Sequence, residues 1–188
     1  MGRGALSRLR FAFFFAGAWF GWTDGSTVGS TAIVGGSSTN GSAIDCPAMK
    51  VLLLLRHAKA MRDPVDDDAA RPLAPEGEDA AARVGRFLAA AGVVPDALLT
   101  SPAVRARDTL ERVAAAAGWE GPRQERPFYE TTPAGVLACL RELPGSVDVA
   151  VAVGHEPTWS ETASRLIGGG NLRLPTCAVA AVTGCRRQ

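Results

Sequence analysis

The chain has 188 residues, 47% of them hydrophobic and 21% charged, which is enough for one domain with a buried core and ordinary for a globular protein. A formal net charge of +1 and an aromatic content of 6% argue against a nucleic-acid partner, an anionic membrane surface or a stacking platform for single strands. Four cysteines occur, with no CxxC pair and neither histidine at zinc-finger spacing from them. They read as free thiols in a reducing compartment, with Cys139 and Cys177 in apolar core contexts.

The first 48 residues differ from the rest. Arg3, Arg8 and Arg10 surround the start of a short apolar block, "RFAFFFAGAWFGW", and a Gly/Ser/Thr tract follows. The block is too short to span a bilayer comfortably, and no A-x-A cleavage site follows it. The expectation is a low-complexity extension over 1–48, disordered or acting as a targeting segment, with a domain over 49–188. Localisation is read as cytoplasmic, with organelle targeting or export through residues 1–48 as the alternative.

From Met49 the pattern becomes regular. Residues 51–55 ("VLLLL") read as a buried strand that runs straight into Arg56 and His57. Residues 75–91 read as a helix with Ala81, Val84, Leu88 and Ala91 on one face and Gly92 as its stop. Residues 96–101 read as a short strand. A helix over 102–118 has Pro102 at its first position, Gly118 after its end, and Ala106, Leu110, Val113 and Ala117 as its apolar face. Thr132 is placed to cap a helix from Pro133 to about Leu143. Strand 148–153, helix 157–167 and strand 177–183 complete the chain. Strands alternate with helices throughout, the pattern of an α/β sandwich whose mainly parallel sheet lies between helical layers.

Ligands in such sheets bind at the carboxyl ends of strands. Three strand ends carry polar residues there: Arg56 and His57, then Ser101 and Arg105 in "TSPAVRAR", then His155 in "VAVAVGHEP". The chain has only two histidines, and both follow an apolar run. Two arginines, two histidines and helix N-termini suit a dianion, since a guanidinium matches phosphate oxygens geometrically. No metal-ligand spacing is present. The run Asp66, Asp67 and Asp68 reads as a solvated loop.

"LLLLRHAKA" resembles the RHG-type signature of the histidine phosphatase superfamily. "RPLAPEG", "LLTSPAVRARDTLE", "FYE" and "VAVGHEPTWSE" then resemble, in order, blocks of its SixA-like branch of small phosphohistidine phosphatases. The resemblance covers about residues 50–183. It implies a phosphoglycerate mutase-like three-layer fold and a phosphoenzyme mechanism that needs no cofactor or metal. It implies His57 as nucleophile, Arg56 and Arg105 as ligands of the phosphoryl oxygens, and His155 as the second pocket histidine. Arg71 matches a residue near the pocket mouth. Lys59 stands where many members carry an acidic residue, and its role is open.

Leaving-group chemistry separates the substrate classes. An alcohol oxygen needs a placed acid to leave, whereas an imidazole, with a pKa of about 6.5, leaves far more easily. Between Ala74 and Arg105 there is no room for a lid domain. Glu130 is the one nearby candidate acid, or else a polar residue that orients the pocket. The expected partner is a phosphohistidine-bearing protein domain. A small phosphorylated molecule and a non-catalytic phosphate-binding module are the alternatives, and a monomer is expected.

Overall fold

The computed structural model describes residues 10–15, 18–23, 49–62, 67–121 and 123–185. Four strands form the parallel centre of its sheet: β3 (Met49–Arg56), β6 (Val149–Gly154), β4 (Ala97–Thr100) and β5 (Arg123–Glu125) lie side by side in that order. β7 (Val179–Cys185) pairs antiparallel with β3 on the other side. The helices are α1 (Pro75–Ala90), α2 (Val104–Ala117), α3 (Pro133–Arg141) and α4 (Thr158–Leu166). This is the expected α/β sandwich, a mainly parallel sheet between helical layers.

Alternation along the strands builds two cores. Leu53, Leu55, Val151 and Val153 face one way and meet Ala81, Val84 and Leu88 of α1 and Ala106, Leu110 and Val113 of α2. Leu54, Ala150 and Ala152 face the other way, against Val136 of α3 and Trp159 and Ala163 of α4. The alanines on that second face of β6 leave room for the Trp159 ring, which is fully buried. A central strand carries apolar residues on both faces because both faces are covered.

The sequence places most elements within a few residues. Thr132 caps α3 by accepting from the Gly135 amide at 3.2 Å. Gly92 and Gly118 follow α1 and α2 in the left-handed region, at φ +72° and +70°. Three features differ. Pro102 does not open α2, which begins at Val104, because Ser101 Oγ takes the Ala103 amide and holds that turn out of the helix. β5, three residues long, is too short for its pattern to be read. A short 3₁₀ turn, Asp68–Ala70, lies in the stretch read as a solvated acidic loop.

Within the stretch read as an unpacked extension, Arg10–Phe15 (β1) and Ala18–Thr23 (β2) are strands. They pair with each other, and β1 continues the sheet along β7. Aromatic-rich segments of this kind favour a pleated surface. The other residues of 1–48, and any targeting role they carry, lie outside the described residues. Among the described residues no helix is long and apolar enough to cross a membrane.

Gly77, in the first turn of α1, packs directly on the backbone of Lys59, and a Cβ there would run into the Lys59 carbonyl oxygen. That oxygen already accepts the Ala74 amide at 2.9 Å, so it cannot easily move aside. Gly77→Ala is therefore expected to destabilise the fold by about 1–3 kcal/mol, the usual cost of overpacking. Urea unfolding of the two proteins measures it, and an unchanged midpoint would mean that α1 is free to shift.

Candidate active site

Parallel pairing of β3 with β6 sets Arg56 opposite Gly154, so each strand delivers its next residue, a histidine, to the same rim. The His57 amide donates to the Gly154 carbonyl at 3.0 Å, and the two imidazole centroids lie 5.0 Å apart. The backbone around His57 is held from three sides. Its carbonyl accepts the Cys177 amide at 3.2 Å, and the next amide, Ala58 N–H, donates to Thr109 Oγ1 at 2.9 Å. The Thr109 hydroxyl in turn donates to the Arg105 carbonyl at 2.6 Å.

His57 Nδ1 lies 2.7 Å from the Ala58 carbonyl. A carbonyl can only accept, so Nδ1 carries the proton and Nε2 keeps a lone pair. Burial, aided by Arg105, Arg56 and Arg71 and opposed by the Ala58 bond, lowers the His57 pKa to about 4. The ring is neutral at neutral pH, the state a nucleophilic imidazole needs.

His155 Nε2 pairs with Ser101 Oγ at 2.8 Å. Ser101 Oγ also accepts the Ala103 amide, and among the described residues Nε2 is the acceptor its hydroxyl hydrogen can reach, so the hydroxyl donates to it. The His155 proton then sits on Nδ1, which is buried without a hydrogen-bond partner among the described residues. Burial first, then His57, Arg105 and Arg56, lower the His155 pKa to about 3. Arg56 Nε and Arg105 Nε are buried and unpaired in the same way. Unpaired buried donors are costly unless a ligand takes them up, so this cluster is a ready site for oxygen acceptors.

The arginines are placed by different means. Arg56 Nη1 donates to the Leu174 carbonyl at 2.8 Å, so the segment before β7 fixes it. A cleft of about 680 Å³ lies beyond Arg56, lined also by Glu156, Ser160 and Arg173, and neither histidine lines it. Arg105 is 5% exposed at the start of α2. Its Nη1 donates to the Asp68 carbonyl at 2.6 Å and its Nη2 to Asp68 Oδ2 at 2.9 Å. Tyr129 OH donates to the same Oδ2 at 2.9 Å, and Arg71 Nε donates to Oδ1 at 2.7 Å. Arg71 Nη1 reaches the Met61 carbonyl at 3.0 Å.

Asp68 thus belongs to the site, which corrects its reading as part of a solvated run. Asp67 is exposed and caps the 3₁₀ turn, and Asp66 lies outside the described residues. The Tyr129 hydroxyl, followed by Arg71 and Arg105, pulls the Asp68 carboxyl down to about 2. The Tyr129 ring stands edge-on to His155 at 5.3 Å, with the Arg105 guanidinium 5.6 Å from its centroid.

Two expected residues stand apart from this cluster. The Lys59 side chain is exposed and pairs with Glu76 at 2.5 Å. Glu130 is exposed at φ +49° and makes no hydrogen bond or ion pair among the described residues. Sequence reasoning gave Tyr129 and Thr109 no role of their own, read Asp68 as solvated, and named Ser101 only as a polar residue at a strand end. The available signal was that Tyr129, Ser101 and Thr109 fall inside the family-like blocks "FYE" and "LLTSPAVRARDTLE".

The family model described as histidine phosphatase superfamily (branch 1) matches residues 52–131. An uncharacterized protein of Mycobacterium tuberculosis is 37% identical over 110 residues, 58% of this chain and 67% of that one. The structure of the protein histidine phosphatase SixA complexed with tungstate superposes with a TM-score of 0.63 at 27% identity, over 70% of this chain and 86% of that one. A Nakamurella multipartitia protein assigned as a SixA phosphohistidine phosphatase gives 0.56 at 32% identity, over 65% and 69%. A mycobacterial glucosyl-3-phosphoglycerate phosphatase, 12% identical with a TM-score of 0.58 over 72% and 91%, shares the fold alone.

The burial of both imidazoles has a measurable sign. Their folded-state pKa values, about 4 and about 3, lie below the unfolded value near 6.5, so the unfolded chain binds more protons in that window. Stability is full above pH 6.5 and declines as pH falls toward 4, by at most about 1.4 kcal/mol per pH unit for each histidine. The chain has no other histidine, so its imidazole C–H resonances in an NMR titration from pH 8 to 5.5 should both stay still. A resonance moving with a midpoint near 6.5 would show that ring to be solvated.

Proposed function

The chain belongs to the histidine phosphatase superfamily and is a phosphatase, and from that premise we propose that it hydrolyses phosphohistidine on a protein through a covalent intermediate on His57. The observation that carries this reading is the absence of a usable acid among the described residues of the site. The carboxyl that enters it, Asp68, is ionised down to about pH 2, and both histidines are neutral at neutral pH. The Tyr129 hydroxyl is committed to Asp68, and Glu130 is exposed with no partner. An alkoxide leaving group would go unprotonated here, whereas an imidazole leaves without such help.

The proposed sequence has two displacements. His57 Nε2 attacks phosphorus as the P–N bond to the substrate imidazole breaks, and that imidazole leaves carrying the proton on its other nitrogen. Water then attacks the phosphorus, the P–Nε2 bond breaks, and phosphate departs with His57 restored. Arg56, Arg105 and the Nδ1–H of His155 are the donors proposed to bind the equatorial oxygens, with Arg71 at the mouth. Guanidinium groups and a neutral imidazole donor would carry the charge stabilisation that other phosphoryl-transfer sites give to Mg²⁺. Among the described residues no group of three His, Cys, Asp or Glu side chains could hold a metal ion. Lys59 and Glu130 lie at the edge of this scheme, as surface residues for contact with a substrate domain.

The test uses the full chain, a phosphorylated histidine-containing phosphotransfer domain and a panel of sugar phosphates. Rapid quench should trap acid-labile, base-stable label on His57, and His57→Ala should abolish it. His155→Ala should lower kcat by roughly 10²–10³, the range for one lost oxyanion donor. Excess EDTA should leave the rate as it was. Turnover of sugar phosphates faster than of the phosphoprotein would overturn the substrate reading, and label on His155 would overturn the roles.

A further inference from the structure

Asp68 holds Arg105 in a manner unlike an ordinary surface ion pair. Arg105 is nearly inaccessible, and Asp68 takes both of its terminal nitrogens, one through the carbonyl and one through the carboxylate. The same carboxylate collects Tyr129 OH, from the segment before α3, and Arg71 Nε, from the residue that follows its own 3₁₀ turn, so with Arg105 of α2 it gathers three donors. A carboxylate that takes one N–H of Arg105, one of Arg71 and the hydroxyl of a phenol is held by the donor types that bind phosphoryl oxygens. Its own side chain remains about half exposed, at 53%, so it can turn outward without breaking the core.

We propose that Asp68 is an autoinhibitory residue of the phosphoryl site: its carboxylate is an internal competitor that occupies an anion position on Arg105, and a phosphorylated substrate binds by displacing it. This rests on the reading of Arg105 as a phosphoryl ligand. The competition weakens every free anion by the same factor, because apparent affinity scales with the fraction of molecules in which Arg105 is open. A substrate domain that also touches the protein surface has further binding energy to offset that factor, and free phosphate has none. The same contact closes again as the product departs, so inorganic phosphate is released instead of retained.

Inorganic phosphate serves as the probe, so failure of the phosphohistidine reading leaves the test intact. Its dissociation constant is measured by calorimetry on the full chain, wild type against Asp68→Ala and Asp68→Asn. Both variants are expected to bind phosphate about tenfold more tightly, as they would if Arg105 is open in about one molecule in ten of the wild type. Asp67→Asn removes one charge from the same run while keeping a capping side chain, and it should bind phosphate like the wild type. Arg105→Ala should abolish the gain when combined with Asp68→Ala. Weaker phosphate binding in the Asp68 variants would show the residue to be a clamp that orients Arg105. An equal gain in Asp67→Asn would show a diffuse charge effect. Either result, or no change at all, overturns the proposal.

Discussion

The in-register parallel pairing of β3 with β6 is the constraint from which the site follows. Six consecutive pairs from Val51↔Val149 to Arg56↔Gly154 bring the two strands to one rim together. Each strand then turns with a histidine. A slip of one residue would turn every side chain of a strand to the opposite face, separating the histidines and exposing the core. The register is protected because both faces are buried, with leucines and valines toward α1 and α2 and small residues toward Trp159.

On that rim the electrostatics are arranged so that cations bind and histidines stay neutral. Arg56, Arg71 and Arg105 all bear on His57, and with burial they keep its proton off Nε2. The proton that remains is fixed on Nδ1 by the Ala58 carbonyl, and Ser101, paired with Nε2, leaves the proton of His155 on Nδ1 as well, so the two rings present different nitrogens to the site. One imidazole thereby offers a lone pair and its neighbour a donor. Thr109 joins the backbone beside the first ring to the arginine helix through two hydrogen bonds, so α2 and the turn after β3 keep their relative positions.

Much of this was legible because it is local. A five-residue apolar run ending in Arg-His, a Thr-Pro helix start and glycines after helices each follow from rules that act over a few residues. The alternation of strands and helices then brought both histidines and both arginines to one end of a sheet. Asp68 was not legible. Three adjacent aspartates read as solvated, and nothing nearby shows that the third meets an arginine 37 residues away. Tyr129 has no periodicity to mark it, since it lies between β5 and α3 in a segment without a repeating pattern. The antiparallel sense of β7 was equally silent, because α4 lies between β6 and β7 as the helix of a parallel crossover would, and the irregular stretch 167–178 that reverses the direction has no repeating pattern.

The amide of Cys177 donates to the carbonyl of His57, so a sulfur sits one residue contact from the proposed nucleophile. That thiol is 7% exposed, and burial pushes its pKa up to about 12. Nucleophilicity and peroxide sensitivity both belong to the thiolate, which this cysteine does not form at physiological pH. With an imidazole as the proposed nucleophile and the neighbouring sulfur held as a buried thiol, this point of the site offers oxidants and alkylating agents no thiolate to attack.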